Sequence, residues 1–299
     1  MAINPFTQLD LFFRARSSLR RAHGLSDAGV MFDQFGRKLG WRMLSRLLGI
    51  GFNYVINPVS SFRYFEFPFA LSSLPDKPGC CLDVSSPSLF SFYVAEYRHP
   101  ESIWMINPDK QDLDQSAKIV DKLNIRNIRA DCSTVDILSS TSKTFDTIWS
   151  ISVVEHISGD YDDIYAIRLM YNALAVGGRL IITVPVDRRF WTEYRNEAYY
   201  GIPKEVSDPK GYFFQRYYNK DAIWERLVAA IGNEPSSIRW FGEKNVGYFS
   251  EYEKRWLKEG IKSTVDDPLE MSEKYQEFPS WESMPGMGVC GLTFIKKPD

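Results

Sequence analysis

The segment Cys81-Leu82-Asp83-Val84-Ser85-Ser86-Pro87-Ser88 ends an apolar run in a carboxylate and follows it with small residues and a turn-forming proline. The next run, Leu89–Glu96, can wind into a helix. A strand, a tight turn and a helix start together present backbone N–H groups to a bound ligand. A second grouping lies downstream. Histidine titrates near neutral pH, so His156 is a proton acceptor by residue type. Asp187, Glu193 and Tyr194 stand in an aromatic stretch with Phe190, Trp191, Tyr199, Tyr200, Phe213 and Phe214. Aromatic walls exclude water and hold a flat or apolar molecule. Arg188 and Arg189 can grip an acidic group, or lie in a solvated loop.

Metal chemistry is not expected. Cys80, Cys81, Cys132 and Cys290 form no C-x-x-C pair, and His23, His99 and His156 are scattered singly. Four cysteines without a disulfide framework read as reduced thiols, which suits the cytoplasm.

Residues 76–185 must position these groups. Apolar runs of strand length alternate with helix-like segments: CCLDV and a helix, SIWMI and the helix 112–123, then RNIRAD. FDTIWSISVV follows, then a helix from Tyr161 to Leu174 stopped by Gly177-Gly178, then RLIITVPV. This alternation predicts a parallel, doubly wound sheet, with right-handed crossovers that gather the strand C-termini at one ligand-binding edge. Residues 186–240 are rich in aromatics and arginine, and 245–285 read as an insertion or lid. GVCGLTFIKK closes the chain as a strand.

Composition is that of a globular protein: 299 residues, 44% hydrophobic, 15% aromatic, with a formal net charge of −2. Such a balance gives no electrostatic case for nucleic acid. The start of the chain has no basic stretch leading into a long apolar run, so no leader peptide is expected. Nor is there a run of about 18 apolar residues to span a membrane. Residues 1–75 stand apart. Between Arg14 and Arg46 there are eight Lys/Arg against Asp27 and Asp33, a local net charge of +6. Trp41, Leu44 and Leu48 are spaced to share one helical face, with Arg42 and Arg46 pointing away. The expected arrangement is a helical cap packed by that face. The alternative is a contact through residues 14–50 with a membrane surface or an acidic carrier.

Residues 80–185 together resemble the class I S-adenosylmethionine-dependent methyltransferases, in particular the small-molecule branch. The most specific pieces are FDTIWSISVVEHIS (145–158) and LMYNALAVGGRLIITVPV (169–186), and the segment 217–243 is similar to that branch's ending. The resemblance implies a Rossmann-like, doubly wound seven-stranded sheet, mostly parallel with an antiparallel C-terminal strand. It also implies a domain over 76–299 with insertions around 186–218 and 245–285, behind an N-terminal helical cap over 1–75.

The family's first motif is an acidic residue followed by x-Gly-x-Gly. Here the run is Asp83-Val84-Ser85-Ser86-Pro87-Ser88, with serines where glycines are expected, and serine and proline restrict the backbone where glycine does not, so the loop is expected to run differently. Asp83 is expected near the cofactor's ammonium, directly or through water, with the serine hydroxyls near its carboxylate. Asn107 stands 24 residues after Asp83, where the family's ribose-binding acid stands, and Asp109 follows two residues on. Either can hold the diol. Asp131 is implied for the adenine amine, with the backbone of Cys132 at the ring. Ser150 and Ile151 are implied to lie under the transferring methyl.

The activity implied is methyl transfer to a small molecule, first of all O-methylation of a specialised metabolite, with S-adenosylmethionine as cofactor and no metal. His156, or Asp187 with Tyr194, is implied as the proton-handling group. Arg188, Phe190, Trp191, Tyr199 and Phe213 are implied as the acceptor wall. N- or C-methylation stays open. So do a cofactor-binding protein without transferase activity and a membrane-peripheral lipid methyltransferase.

Overall fold

Eleven strands are found among the described residues: β1 (Cys80–Val84), β2 (Ser102–Ile106), β3 (Ile128–Asp131), β4 (Phe145–Ile151), β5 (Leu174–Val186), β6 (Trp191–Arg195), β7 (Val206–Ser207), β8 (Gly211–Tyr217), β9 (Ser237–Glu243), β10 (Tyr275–Phe278) and β11 (Gly288–Ile295). The structure is a computed structural model and describes residues 5–22, 25, 27–159, 162–198, 206–207 and 211–298. The chain divides into two units, residues 1–69 with 240–288 and residues 70–239 with 289–299.

The second unit carries the parallel sheet. Its strands run in the order β9-β11-β5-β4-β1-β2-β3. The pairs β1·β2, β1·β4, β2·β3 and β4·β5 are all parallel. The β11 strand runs the other way, since Gly177 N–H donates to Lys296 O and Lys296 N–H returns to Gly178 O. Buried apolar side chains such as Leu82, Ile103, Ile148 and Ile181 fill both faces, as parallel strands require. A second, antiparallel sheet β6-β8-β7 follows β5 in the same unit.

The connecting helices are locally encoded. Asp109 caps the helix Lys110–Leu123 by accepting from Gln111 and Asp112 N–H, and Asn124 ends it in the left-handed region at φ 54°. Asp162 caps the helix Asp163–Asn172 through Tyr165 N–H. Gly177-Gly178 does not stop that helix, which ends at Asn172 while β5 has begun at Leu174. Gly177 instead sits at φ 81° inside β5, where its backbone meets Lys296. The left-handed Gly177 and the hydrogen bonds of the pair to Lys296 thus mark an irregular strand start rather than a helix stop.

In the first unit the helices Pro5–Arg21, Asp27–Met43 and Leu48–Ile56 form the N-terminal layer. Leu11, Ala15, Ile56 and Val265 make one apolar cluster there. Asp33 holds Arg37 and accepts from Tyr64 Oη at 2.7 Å. The β10 strand pairs antiparallel with the second half of β9, a strand beyond the seven expected. The expected face of Trp41, Leu44 and Leu48 does not exist, because the helix ends at Met43 and a new one starts at Leu48. Trp41 and Leu48 are 57% and 71% exposed.

Candidate functional site

The C-terminal ends of β1 to β4 lie at one edge and are laced together by hydrogen bonds. Ser85 N–H donates to Ile106 O at 2.8 Å, Asn107 N–H to Asp131 O at 3.3 Å, and Ser152 N–H to Thr183 O at 3.0 Å. Ile151 N–H donates to Ser86 Oγ at 3.0 Å. Asp83, Ser85, Ser86, Asn107, Asp131, Ile151 and Ser152 are thereby brought to the same edge. Ser85 and Ser152 adopt φ of 53° and 49°, the left-handed region that favours glycine. The loop after β1 therefore keeps at Ser85 a backbone turn that serine was expected to change.

Asp83 is fully buried, and both its oxygens are used. One accepts Ser86 N–H at 2.9 Å and the other the Ser91 hydroxyl. Burial pushes its carboxyl up to about 6, against the opposing pull of these hydrogen bonds. Its role in this geometry is to fold the loop on itself.

Asn107 is likewise engaged: its Oδ1 accepts Asp109 N–H at 2.9 Å and its Nδ2 donates to Asp112 at 2.8 Å. Asp109 Oδ1 caps the helix, while its Oδ2 has no donor among the described residues. Asp131 Oδ2 takes the Trp104 indole N–H at 2.6 Å and the Arg129 guanidinium at 2.7 Å. Cys132 is exposed, with its Sγ 3.8 Å from Pro108 O. The Ser150 hydroxyl is buried without a hydrogen-bond partner.

His156 lies on the short turn Val154–His156 after β4. Its Nδ1 is 2.8 Å from Phe214 O, and a carbonyl only accepts, so Nδ1 carries the proton. The lone pair then falls on Nε2, 3.8 Å from Glu155 Oε1. Asp187 braces the start of the antiparallel sheet, with one oxygen on Arg188 N–H at 2.6 Å and the other on the Trp191 indole at 2.8 Å. Each of its oxygens thus accepts one hydrogen bond that holds the turn into β6. Trp191 stacks on Tyr217 at 4.2 Å, Tyr194 meets Phe213 edge-on, and Phe190 is 41% exposed. Arg188 is exposed. Tyr199 and Tyr200 lie outside the described residues.

No protein-family model matches the sequence, and no curated protein does. Solved structures do. That of the [4+2]-cyclase SpnF aligns at TM-score 0.50 with 16% identity, over 81% of this chain and 84% of that one. The MccD protein aligns at 0.50 with 9% identity, over 78% and 96%. Coclaurine N-methyltransferase bound to N-methylheliamine and SAH aligns at 0.48 with 10% identity, over 97% and 94%. The fold is that of the class I S-adenosylmethionine-dependent methyltransferases.

A cofactor of that fold offers hydrogen-bond donors: a ribose diol, an exocyclic amine and an ammonium. The residues at this methyltransferase-fold edge fit such a group. Among the described residues, no donor or acceptor engages Asp109 Oδ2, Asp131 Oδ1 or the Ser150 hydroxyl. Sequence reasoning missed the residues that set this pattern. Ser91 closes Asp83, while Trp104 and Arg129 draw off one side of Asp131. The signal for Trp104 was available, because a buried indole N–H needs an acceptor and Asp131 ends the neighbouring strand.

Proposed function

We propose that this protein transfers the methyl group of S-adenosylmethionine to a small-molecule acceptor, with a hydroxyl oxygen of a specialised metabolite as the first candidate. The observation that supports this is the laced strand edge with its spare acceptors. Asp109 Oδ2 would take the ribose hydroxyls and Asp131 Oδ1 the adenine amine. Asp83, Ser86 and Asn107 would shape the loops that receive the amino-acid end. The bound cofactor supplies an activated methyl on a neutral leaving group, so little acid catalysis is needed. Alignment and removal of the acceptor's proton are what the protein must supply. His156 is the base in this reading, since its Nδ1–H is committed to Phe214 O and its lone pair stands on Nε2. A hydroxyl acceptor must lose its proton, which favours O-methylation over transfer to a free amine. Phe190, Trp191, Tyr194 and Phe213 would wall the acceptor.

The test is calorimetric titration with S-adenosylhomocysteine, followed by transfer of labelled methyl to a panel of phenols, alcohols and amines. Failure to bind the cofactor sinks the proposal.

A second reading has its own support. SpnF shares this fold and is a [4+2]-cyclase, and here each oxygen of Asp83 and each end of the Asn107 amide already makes a hydrogen bond within the protein. A cofactor-binding protein without transferase activity would bind in the titration and label nothing.

A further inference from the structure

The helix Pro5–Arg21 has two opposite faces. Leu11, Ala15 and Ser18 point inward and are at most 3% exposed. Leu9, Phe13, Arg16 and Arg20 recur at spacings of three and four on the other side, as one helical stripe. Leu9 and Phe13 are 55% and 64% exposed. Phe13, Arg16, Ser17, Arg20 and Arg21 line a shallow depression of about 440 Å³. Trp41 continues the surface, in edge contact with Phe12 at 6.2 Å.

We infer that this face seats the protein on an anionic lipid bilayer. Three features agree. Large apolar side chains, including a tryptophan, stand in solvent where a soluble surface normally keeps them singly. Arginines flank them on the same stripe. The segment from Arg14 to Arg46 is +6 in a chain whose net charge is −2, and Arg16, Arg20 and Arg21 of that segment lie at this face. Some of the arginines there are engaged within the protein, as Arg14 is with Asp266 and Arg37 with Asp33. Arg16, Arg20 and Arg21 line the depression instead, where phosphate headgroups would meet them. Interfacial helices combine this pattern of Phe, Trp and Leu with arginine, and no helix among the described residues is long and apolar enough to cross a membrane. The inference is independent of methyl transfer and does not require the acceptor to be a lipid.

The experiment uses the full chain and vesicles of phosphatidylcholine with or without about one third phosphatidylserine. Sedimentation at low salt is expected to show at least about tenfold tighter binding to the anionic vesicles, lost in high salt. Arg16→Gln/Arg20→Gln/Arg21→Gln should weaken binding by about 100-fold, since each basic residue at such a surface contributes roughly fivefold. Trp41→Ala should weaken it several-fold without changing its salt dependence, and both variants should keep the wild-type melting temperature. Equal binding to both vesicle types, or none, overturns the inference. So does a triple variant that binds like wild type. A concentration-dependent dimer that shields Trp41 from a soluble quencher would show that a second copy covers the face instead.

Discussion

The hydroxyl of Ser86 accepts the Ile151 backbone N–H at 3.0 Å, while the Ser86 N–H donates to Asp83. One serine thus ties the loop after β1 to the end of β4. A glycine at this position would leave the buried Ile151 N–H without its partner. Ser86→Gly is therefore expected to destabilise the protein by about 1–3 kcal/mol, read from the urea midpoint. Ser85→Gly should do the reverse at its left-handed φ, gaining up to about 1 kcal/mol less whatever its own hydroxyl contributes. Equal effects of the two changes would contradict the assigned geometry.

Asp109 and Asn107 can be separated by replacements that keep the helix cap. Asp109→Ser retains a capping oxygen and removes the spare Oδ2. If that oxygen takes the ribose, cofactor binding should weaken by about 1.5–3 kcal/mol with little change in melting temperature. Asn107→Ser should cost less, because its side chain serves Asp109 N–H and Asp112. Titration calorimetry reads both. A larger loss at Asn107 would return the ribose contact to that residue.

The buried Asp83 gives the protein a pH signature. Its folded carboxyl lies at about 6, above the ordinary value of 3.8. Between those values the folded state holds a proton that the unfolded state has released, so this group's contribution to stability falls as pH rises from about 4 to about 6. A shift of this size corresponds to roughly 3 kcal/mol. Asp83→Asn keeps an acceptor for Ser86 N–H and carries no charge. It should gain stability relative to wild type at pH 7.5 and lose that advantage at pH 4.5. Denaturation curves of both proteins that stay parallel across this range would refute the assignment.

Asp163 has the opposite sign. Burial works against its charge, but the hydrogen bond from Arg226 and the charge of Arg216 outweigh it and hold its carboxyl below the ordinary range. Its stabilising contribution is present above the unfolded value and is lost as pH falls through the folded one. Asp163→Asn removes the charge that pairs with Arg226 and leaves one acceptor oxygen where two serve Arg226 and the buried Tyr218 hydroxyl. A loss of about 3–5 kcal/mol is expected at neutral pH, measured by chemical denaturation.

The alternation of strands and helices from Cys80 to Val186 was legible because a parallel sheet buries whole apolar runs and two of its helices carry their own caps, Asp109 and Asp162. The C-terminal strand was legible for the same reason. The helix break at Leu44–Leu47 was not, since Trp41, Leu44 and Leu48 satisfy helical spacing on paper while nothing buries Trp41 or Leu48. The residue types of the site could be read, but their hydrogen-bond partners could not. That Asp187 holds the turn into β6 depends on Trp191 turning its indole back by four residues, a contact that no spacing rule fixes.

His156 bears on both structure and chemistry, and the two can be pulled apart. Its Nδ1–H holds Phe214 O, so truncation to alanine removes an anchor of β8 as well as the proposed base. His156→Asn places an amide N–H where Nδ1–H was and has nothing at the Nε2 position. It should fold and bind cofactor like wild type yet lower kcat by about 10²–10⁴, the usual contribution of a positioned base. His156→Gln offers its amide at the Nε2 position and loses the anchor, so its melting temperature should fall. The kcat–pH profile of the asparagine variant should also lose the limb that follows histidine ionisation. An asparagine variant with unchanged kcat across neutral pH would end the case for His156 as base and leave alignment of the reactants to carry the reaction.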